Sequence, residues 1–279
     1  MRRILIAIIV LLVIAVLTHL ILENKAISSY SKTSFGVTFS PKYAEYLNFN
    51  WKKTFLAILD ELQVKNWRLT AYWEDLEKES GSFDFSSSDF MLDEIKLRSG
   101  GIILVLGVKQ PRWPECHLPL WVKQLDLATR REKILEFISK VVERYKERHE
   151  VIAWQIENEP FLKSFGEECF SDESFLKKEI QTVKAISNKP IIVTDSGELG
   201  NWVIPMQLAD IFGTTLYRDV YDKLFGHVTY PLPSYFYNIK ANLVKTLLNQ
   251  KDKRVIVVEL QAEPWAKNYG LADESITDQ

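Results

Sequence analysis

The chain has little with which to hold a nucleic acid or a metal. Lysine and arginine number 35 against 37 aspartate and glutamate, a formal net charge of −2, so no basic face suited to phosphates is implied and no nucleic-acid partner is expected. The four histidines are isolated and no C-x-x-C spacing occurs, so neither a metal site nor a cofactor is expected. Only two cysteines are present, Cys116 and Cys169, leaving one disulfide or two free thiols. No G-x-G-x-x-G turn follows the first predicted strand, which weighs against a dinucleotide fold. Internal repeats and low-complexity stretches are absent too. What remains is 47% hydrophobic and 26% charged over 279 residues, enough for one large α/β domain with a sizeable core.

The N-terminus departs from this composition. Residues 4–22 form a run broken only by Thr18 and His19, preceded by Arg2 and Arg3. As a helix this run spans roughly 28 Å, close to the ~30 Å hydrocarbon core of a bilayer. A cleaved signal peptide has a shorter apolar region and a small-x-small site, and the nearest candidate here, "ENKA", is poor. The reading is therefore an uncleaved transmembrane anchor over residues 1–23, with a secreted, cleaved form as the alternative. The two arginines place the N-terminus inside and the bulk of the chain outside the cytoplasm. Residues 24–33 form a polar tether, and residues 34–279 the folded domain.

Beyond the tether, short apolar runs alternate with longer amphipathic ones. Strands are expected at 34–40, 66–73, 100–108, 151–157, 189–196, 209–217 and 254–260. Helices are expected at 51–64, 89–98, 127–148, 171–187 (opened by a serine cap) and 234–250. Several strands are continuously apolar, as strands buried on both faces of a parallel sheet are. A doubly wound sheet and a (β/α)8 barrel both fit that alternation. Polar residues collect at the C-terminal end of strand after strand, the distribution of a barrel with one active face. The expectation is a (β/α)8 TIM barrel that lacks an eighth β/α unit within this sequence, since about twenty residues follow the seventh strand.

Two of those strand ends carry chemistry. "WQIENEP" closes the fourth strand, and "VIVVELQAEPW" follows the seventh about one hundred residues later. Asn158-Glu159-Pro160 with Glu259 resembles the clan A glycoside hydrolases, retaining (β/α)8 enzymes that include the family 5 cellulases and mannanases and the family 39 and 42 enzymes. The resemblance covers roughly residues 35–265. It implies a β-linked glycan as substrate and hydrolysis by double displacement, with Glu159 as acid/base and Glu259 as nucleophile. Such a pair needs one neutral and one ionised carboxyl at working pH, so their surroundings must push the two pKa values apart.

The same resemblance makes Asn158 the partner of the sugar 2-hydroxyl and Arg68 the cation that keeps the nucleophile ionised. Tyr217 is either the donor to that nucleophile or a core tyrosine. Tyr72, Trp73, Gln110, Trp113 and Trp265 are candidates for the barrel mouth, where rings stack on sugar faces and amides take hydroxyls. Glu157 and Glu263 rival the chosen carboxylates and are read as loop-capping bystanders. Where many family members carry a His-Asn pair after the third strand, this chain has Lys109-Gln110, and the family's eighth-strand aromatic has no counterpart. The loops after strands three and four should be neighbours on the active face, so a Cys116–Cys169 disulfide clamping them is expected. A monomer is expected. Transglycosylation in envelope polysaccharide metabolism, or a barrel that binds carbohydrate with attenuated turnover, are the alternatives to hydrolysis.

Overall fold

The computed structural model describes residues 10, 11, 13, 14, 17, 18, 21, 22, 33–163, 166, 167, 169, 172–222, 226–233 and 235–261. Among these, no helix is long and apolar enough to cross a membrane. The anchor expected over residues 1–23 gains no support there, and most of that segment lies outside the described residues.

In chain order the strands are β1 (Gly36–Phe39), β2 (Asn66–Thr70), β3 (Gly101–Leu106), β4 (Val151–Ile156), β5 (Ile191–Asp195), β6 (Ile211–Leu216), β7 (Asp219–Asp222), β8 (Gly226–Thr229) and β9 (Arg254–Leu260). The helices are α1 (Pro41–Tyr46), α2 (Trp51–Asp60), α3 (Trp73–Leu76), α4 (Ser86–Leu97), α5 (Leu120–Lys123), α6 (Leu127–Tyr145), α7 (Glu173–Ile186), α8 (Val203–Leu208) and α9 (Tyr235–Leu247). Seven strands form one sheet in the order β1-β2-β3-β4-β5-β6-β9, every neighbouring pair parallel. That strictly sequential order excludes a doubly wound sheet, whose strand order reverses at a switch point. The sheet curls until its two ends meet: Thr38 Oγ1 in β1 donates to the Val258 carbonyl in β9 at 3.3 Å. The short β7–β8 hairpin stands apart from the sheet and was not foreseen.

Local chemistry explains the long helices. Asn50 caps α2 by accepting from Lys53 N, and Asp126 caps α6 by accepting from Ala128 N and Thr129 N. The α7 cap is Asp172, accepting from Phe175 N, rather than the serine before it. The buried stripe of α6, from Ile134 through Phe137, Ile138 and Val141 to Tyr145, recurs at helical spacing and packs into the main core.

Two expectations at the strand ends are corrected. The strand expected over 66–73 stops at Thr70, because Trp73 opens α3 and is fully buried. Its ring stacks on Phe137 with centroids 5.0 Å apart and meets Trp121 edge-on, so it belongs to the core and not to the barrel mouth. Tyr72 is buried as well, its hydroxyl bonded to Ser40 Oγ and the Pro111 carbonyl.

Candidate active site

The C-terminal ends of β2, β4, β6 and β9 converge on one polar cluster. Arg68, 4% exposed, lies at its centre with all three guanidinium positions bonded. Nη1 donates to Glu259 Oε1 at 2.6 Å, Nη2 to Asn158 Oδ1 at 2.7 Å, and Nε to Gln155 Oε1 at 2.8 Å. Tyr217 donates its hydroxyl to Glu259 Oε2 at 2.8 Å. Glu259 therefore carries a charge-assisted bond on one oxygen and a phenol on the other. Burial pushes its carboxyl up, but the Arg68 charge and the two hydrogen bonds outweigh it and hold Glu259 below the usual carboxylate range. Tyr217 is pushed well above its ordinary range by burial and the neighbouring Glu259 charge.

Glu159 has the opposite surroundings. It is 6% exposed, and among the described residues its carboxyl accepts one side-chain hydrogen bond, from Thr215 Oγ1 to Oε1 at 3.0 Å. Burial, then the negative charges of Glu259 and Glu115, push its carboxyl up to about 8, with Lys109 opposing. Two carboxyls of one site thus differ in protonation at neutral pH.

The backbone that presents them is strained. Glu157 and Glu159 both have positive φ, 58° and 46°, costing roughly 1 kcal/mol each in the left-handed region. Hydrogen bonds hold the turn: Asn158 N to Lys109 O at 2.6 Å, Glu157 N to Leu106 O at 2.9 Å, and Glu159 N to Thr194 Oγ1 at 2.8 Å. Asn158 is buried, and its Nδ2 finds no partner among the described residues, leaving its two N–H donors for a ligand.

Glu157 is placed away from the mouth. Its carboxylate accepts from Val108 N at 3.0 Å and Lys109 N at 2.5 Å, pinning the chain after β3. Gly107, at φ 102°, is required there, since a Cβ would lie 2.3 Å from Glu157 Oε1. Glu157 also meets the fully buried Glu179 of α7, whose carboxyl has no other partner among the described residues. Burial raises both, and the Glu157 charge adds to the rise of Glu179.

The other expected residues are dispersed. Gln110 is fully buried and donates to the Ala71 carbonyl at 2.8 Å, tying the loop after β3 to the end of β2. Trp113 is 66% exposed in that loop. Trp265 and Glu263 lie outside the described residues. Cys116 and Cys169 form a disulfide with Cα atoms 5.6 Å apart, joining the loops after β3 and β4. Among the described residues, no group of three or more His, Cys, Asp or Glu side chains could hold a metal. Beyond Pro160 a cavity of about 220 Å³ opens, lined by Phe161, Leu162, Asp195, Leu199 and Ile204.

Sequence reasoning missed Gln155, Thr194, Thr215 and the Lys109–Glu115 pair. The signal for the first three is a polar residue, alone in β4 and one of two in β5 and β6, near the C-terminal end of an otherwise apolar strand. Such a residue has to find its partner inside the barrel.

The fold recurs in solved structures at low identity. The β-galactosidase from the psychrophilic Marinomonas ef1 matches with a TM-score of 0.59 and 14% identity, over 88% of this chain and 51% of that one. The β-galactosidase from the Antarctic haloarchaeon Halorubrum lacusprofundi gives 0.59 and 15%, over 88% and 50%. A glycosylated endo-β-1,4-xylanase of glycoside hydrolase family 10 from Gloeophyllum trabeum gives 0.59 and 16%, over 82% and 72%. The chain spans about half the length of the two β-galactosidases. No curated protein sequence matches it. The family model of glycosyl hydrolase family 10 matches residues 24–179, more than half of the chain. The chain belongs to glycosyl hydrolase family 10, within the clan A retaining hydrolases that its two glutamate motifs resemble.

Proposed function

We propose that the chain is a retaining glycosidase acting on a β-linked glycan, with Glu159 as acid/base and Glu259 as nucleophile. The observation that carries this reading is the opposed protonation of two carboxyls in one site, Glu159 raised to about 8 and Glu259 lowered. In the first step Glu159 gives its proton to the glycosidic oxygen while Glu259 attacks the anomeric carbon. The C–O bond to the leaving group breaks, and an ester bond to Glu259 forms. In the second step Glu159, now ionised, takes a proton from water as that water displaces Glu259. Arg68 and Tyr217 hold the nucleophile ionised and oriented, and the unpartnered Asn158 Nδ2 is the donor for the sugar 2-hydroxyl.

The names of the structural neighbours, xylanase and β-galactosidase, support a β-linkage and leave the sugar open. The disulfide supports an oxidising compartment, and with it a domain outside the cytoplasm. The test is a panel of 2,4-dinitrophenyl 2-deoxy-2-fluoro-β-glycosides of xylose, glucose and galactose, followed by peptide mass analysis. A glycosyl adduct on the peptide holding Glu259 is expected. Label confined to another carboxylate would overturn the nucleophile assignment, and no label from any sugar would overturn the retaining mechanism for these glycones.

A further inference from the structure

A charged cluster between β3 and β4 plays no part in the two steps above. Lys109 Nζ and Glu115 Oε2 are 2.6 Å apart, with 4% and 5% of their side chains exposed. Both belong to the loop that follows β3, which folds back on itself: Gln110 N donates to Glu115 O, and Lys109 bridges Cys116. An ion pair buried this deeply is a poor way to hold a loop together. Desolvation of both ions offsets their attraction, and apolar residues of similar volume do as well or better.

The cluster is tied to the turn that carries Glu159. The Lys109 carbonyl accepts from Asn158 N, the residue before the acid/base. Glu167 N donates to Pro114 O at 2.9 Å, and Cys116 is bonded to Cys169 beyond the same turn. Gly166 packs so closely that a Cβ there would meet Glu115 Cβ and Oε2 at 3.0 Å. Glu115 is thereby shut off from solvent and held facing Lys109.

Electrostatically the pair faces Glu159. The Glu115 charge disfavours ionisation of Glu159 and the Lys109 charge favours it, the first effect being the larger. Among the described residues, Glu159 also has around it Glu259 from β9, Thr215 and Tyr217 from β6 and the residue after it, and Thr194 from β5 on its backbone nitrogen. Burial pushes the Glu115 carboxyl up and the Glu259 charge adds to it, while Lys109 and then His117, whose ring contacts Glu74 and the Arg112 carbonyl, oppose the rise.

On the double-displacement reading above, we propose that Glu115, held by Lys109, is a positioning residue for the acid/base: a fixed anion that keeps Glu159 basic through the second step. In the first step the negative charge of Glu259 helps Glu159 keep its proton until the leaving oxygen takes it. Once Glu259 is esterified that charge is gone, yet Glu159 must then draw a proton from water. Glu115 is the anion that persists through both steps, because it takes no part in bonding the anomeric carbon. Lys109, 2.6 Å away, opposes the burial that pushes the Glu115 carboxyl up, and limits its effect on Glu159.

The test reads Glu159 directly. In the full chain carrying ¹³C-labelled glutamate, the Glu159 carboxyl resonance is identified by its loss in Glu159→Gln and titrated between pH 4 and 10. Glu115→Gln removes the anion and leaves Lys109 uncompensated, so the Glu159 midpoint should fall by about one unit or more. Lys109→Met/Glu115→Gln removes both charges, and the midpoint should return most of the way. Glu115→Asp should stay near wild type. An unchanged midpoint in Glu115→Gln, or one equally displaced in the double variant, would overturn the proposal. Should Glu115→Gln not fold, the double variant decides against wild type: a small fall is expected, and a rise would refute it. The titration needs no substrate, so a failed fluoroglycoside trap would remove the glycosidase reading and leave this measurement standing. With a 2,4-dinitrophenyl β-glycoside of the trapped sugar, Glu115→Gln should lower kcat about three- to tenfold, and azide, which needs no general base, should restore it. A loss that azide does not restore would contradict the proposed role.

Discussion

Replacing Arg68 by methionine removes the guanidinium while keeping most of its apolar stem, so the perturbation is electrostatic more than steric. In the native protein this side chain is 4% exposed and bonds Glu259, Asn158 and Gln155 at once. Removing one partner of a buried ion pair costs roughly 3–5 kcal/mol, because the other charge is left uncompensated. Glu259 keeps 17% of its side chain exposed, so the lower end, about 3 kcal/mol, applies. For a chain of this size that lowers Tm by roughly 6–12 °C.

The loss should depend on pH in a definite way. The Glu259 carboxyl is held below its ordinary 4.5, so its stabilisation is present above that value and lost as pH falls through the folded-state pKa. In the variant, burial acts without Arg68, the folded-state pKa rises above 4.5, and Glu259 becomes destabilising as pH increases. Scanning calorimetry from pH 4 to 8 should therefore show a Tm gap that is widest at neutral pH and closes toward acid. A gap that stays constant with pH would refute the electrostatic account and leave only a packing role. Arg68→Lys should recover part of the gap, since it restores the charge without the fork that reaches three partners.

Glu159→Gln should slow hydrolysis of poor leaving groups by about 10²–10⁴-fold while sparing dinitrophenyl leaving groups in the first step; steady-state kinetics on the two substrate types checks this, and equal losses would count against the acid role. For the wild type, kcat/KM should fall on the alkaline side as Glu159 titrates near pH 8. Glu179→Gln should remove a buried carboxyl whose folded-state pKa is raised. The stabilisation from such a raised group is full below about pH 4.5 and declines as pH rises. Urea unfolding should accordingly find the variant gaining on wild type between pH 5 and 9, and a difference independent of pH would count against a raised Glu179 carboxyl. Replacing Cys116 and Cys169 by serine opens a loop of sequence separation 53, worth about 4 kcal/mol by loop-closure entropy, which urea unfolding of the oxidised protein and the variant would measure.

The sequence by itself determined the alternation of strands and helices, because burial on both faces demands continuous apolar runs such as those of β3 and β5. It pointed to the clan A retaining hydrolases as well, though not to family 10 among them, since the Asn158-Glu159-Pro160 motif and Glu259 occupy the ends of two such runs. Several features were settled only by the tertiary structure. The apolar run through Ala71, Tyr72 and Trp73 is as compatible with a strand as with a helix start, and packing against Phe137 and Trp121 decided for the helix. The Lys109–Glu115 pair joins two residues of one loop that folds back on itself, and the Glu157–Glu179 pair joins a turn to a helix; no local pattern announces either. The two glutamates of "ENEP" show the division most clearly. By strand alternation Glu157 and Glu159 should point the same way, but the strand ends at Ile156 and both residues take positive φ, so alternation no longer applies. Hydrogen bonds from Val108 and Lys109 draw Glu157 beneath the neighbouring loop, while Thr215 receives Glu159 in the site. Residue type and spacing brought two carboxylates to this corner of the barrel, and backbone geometry with the electrostatics of neighbouring strands gave them different environments.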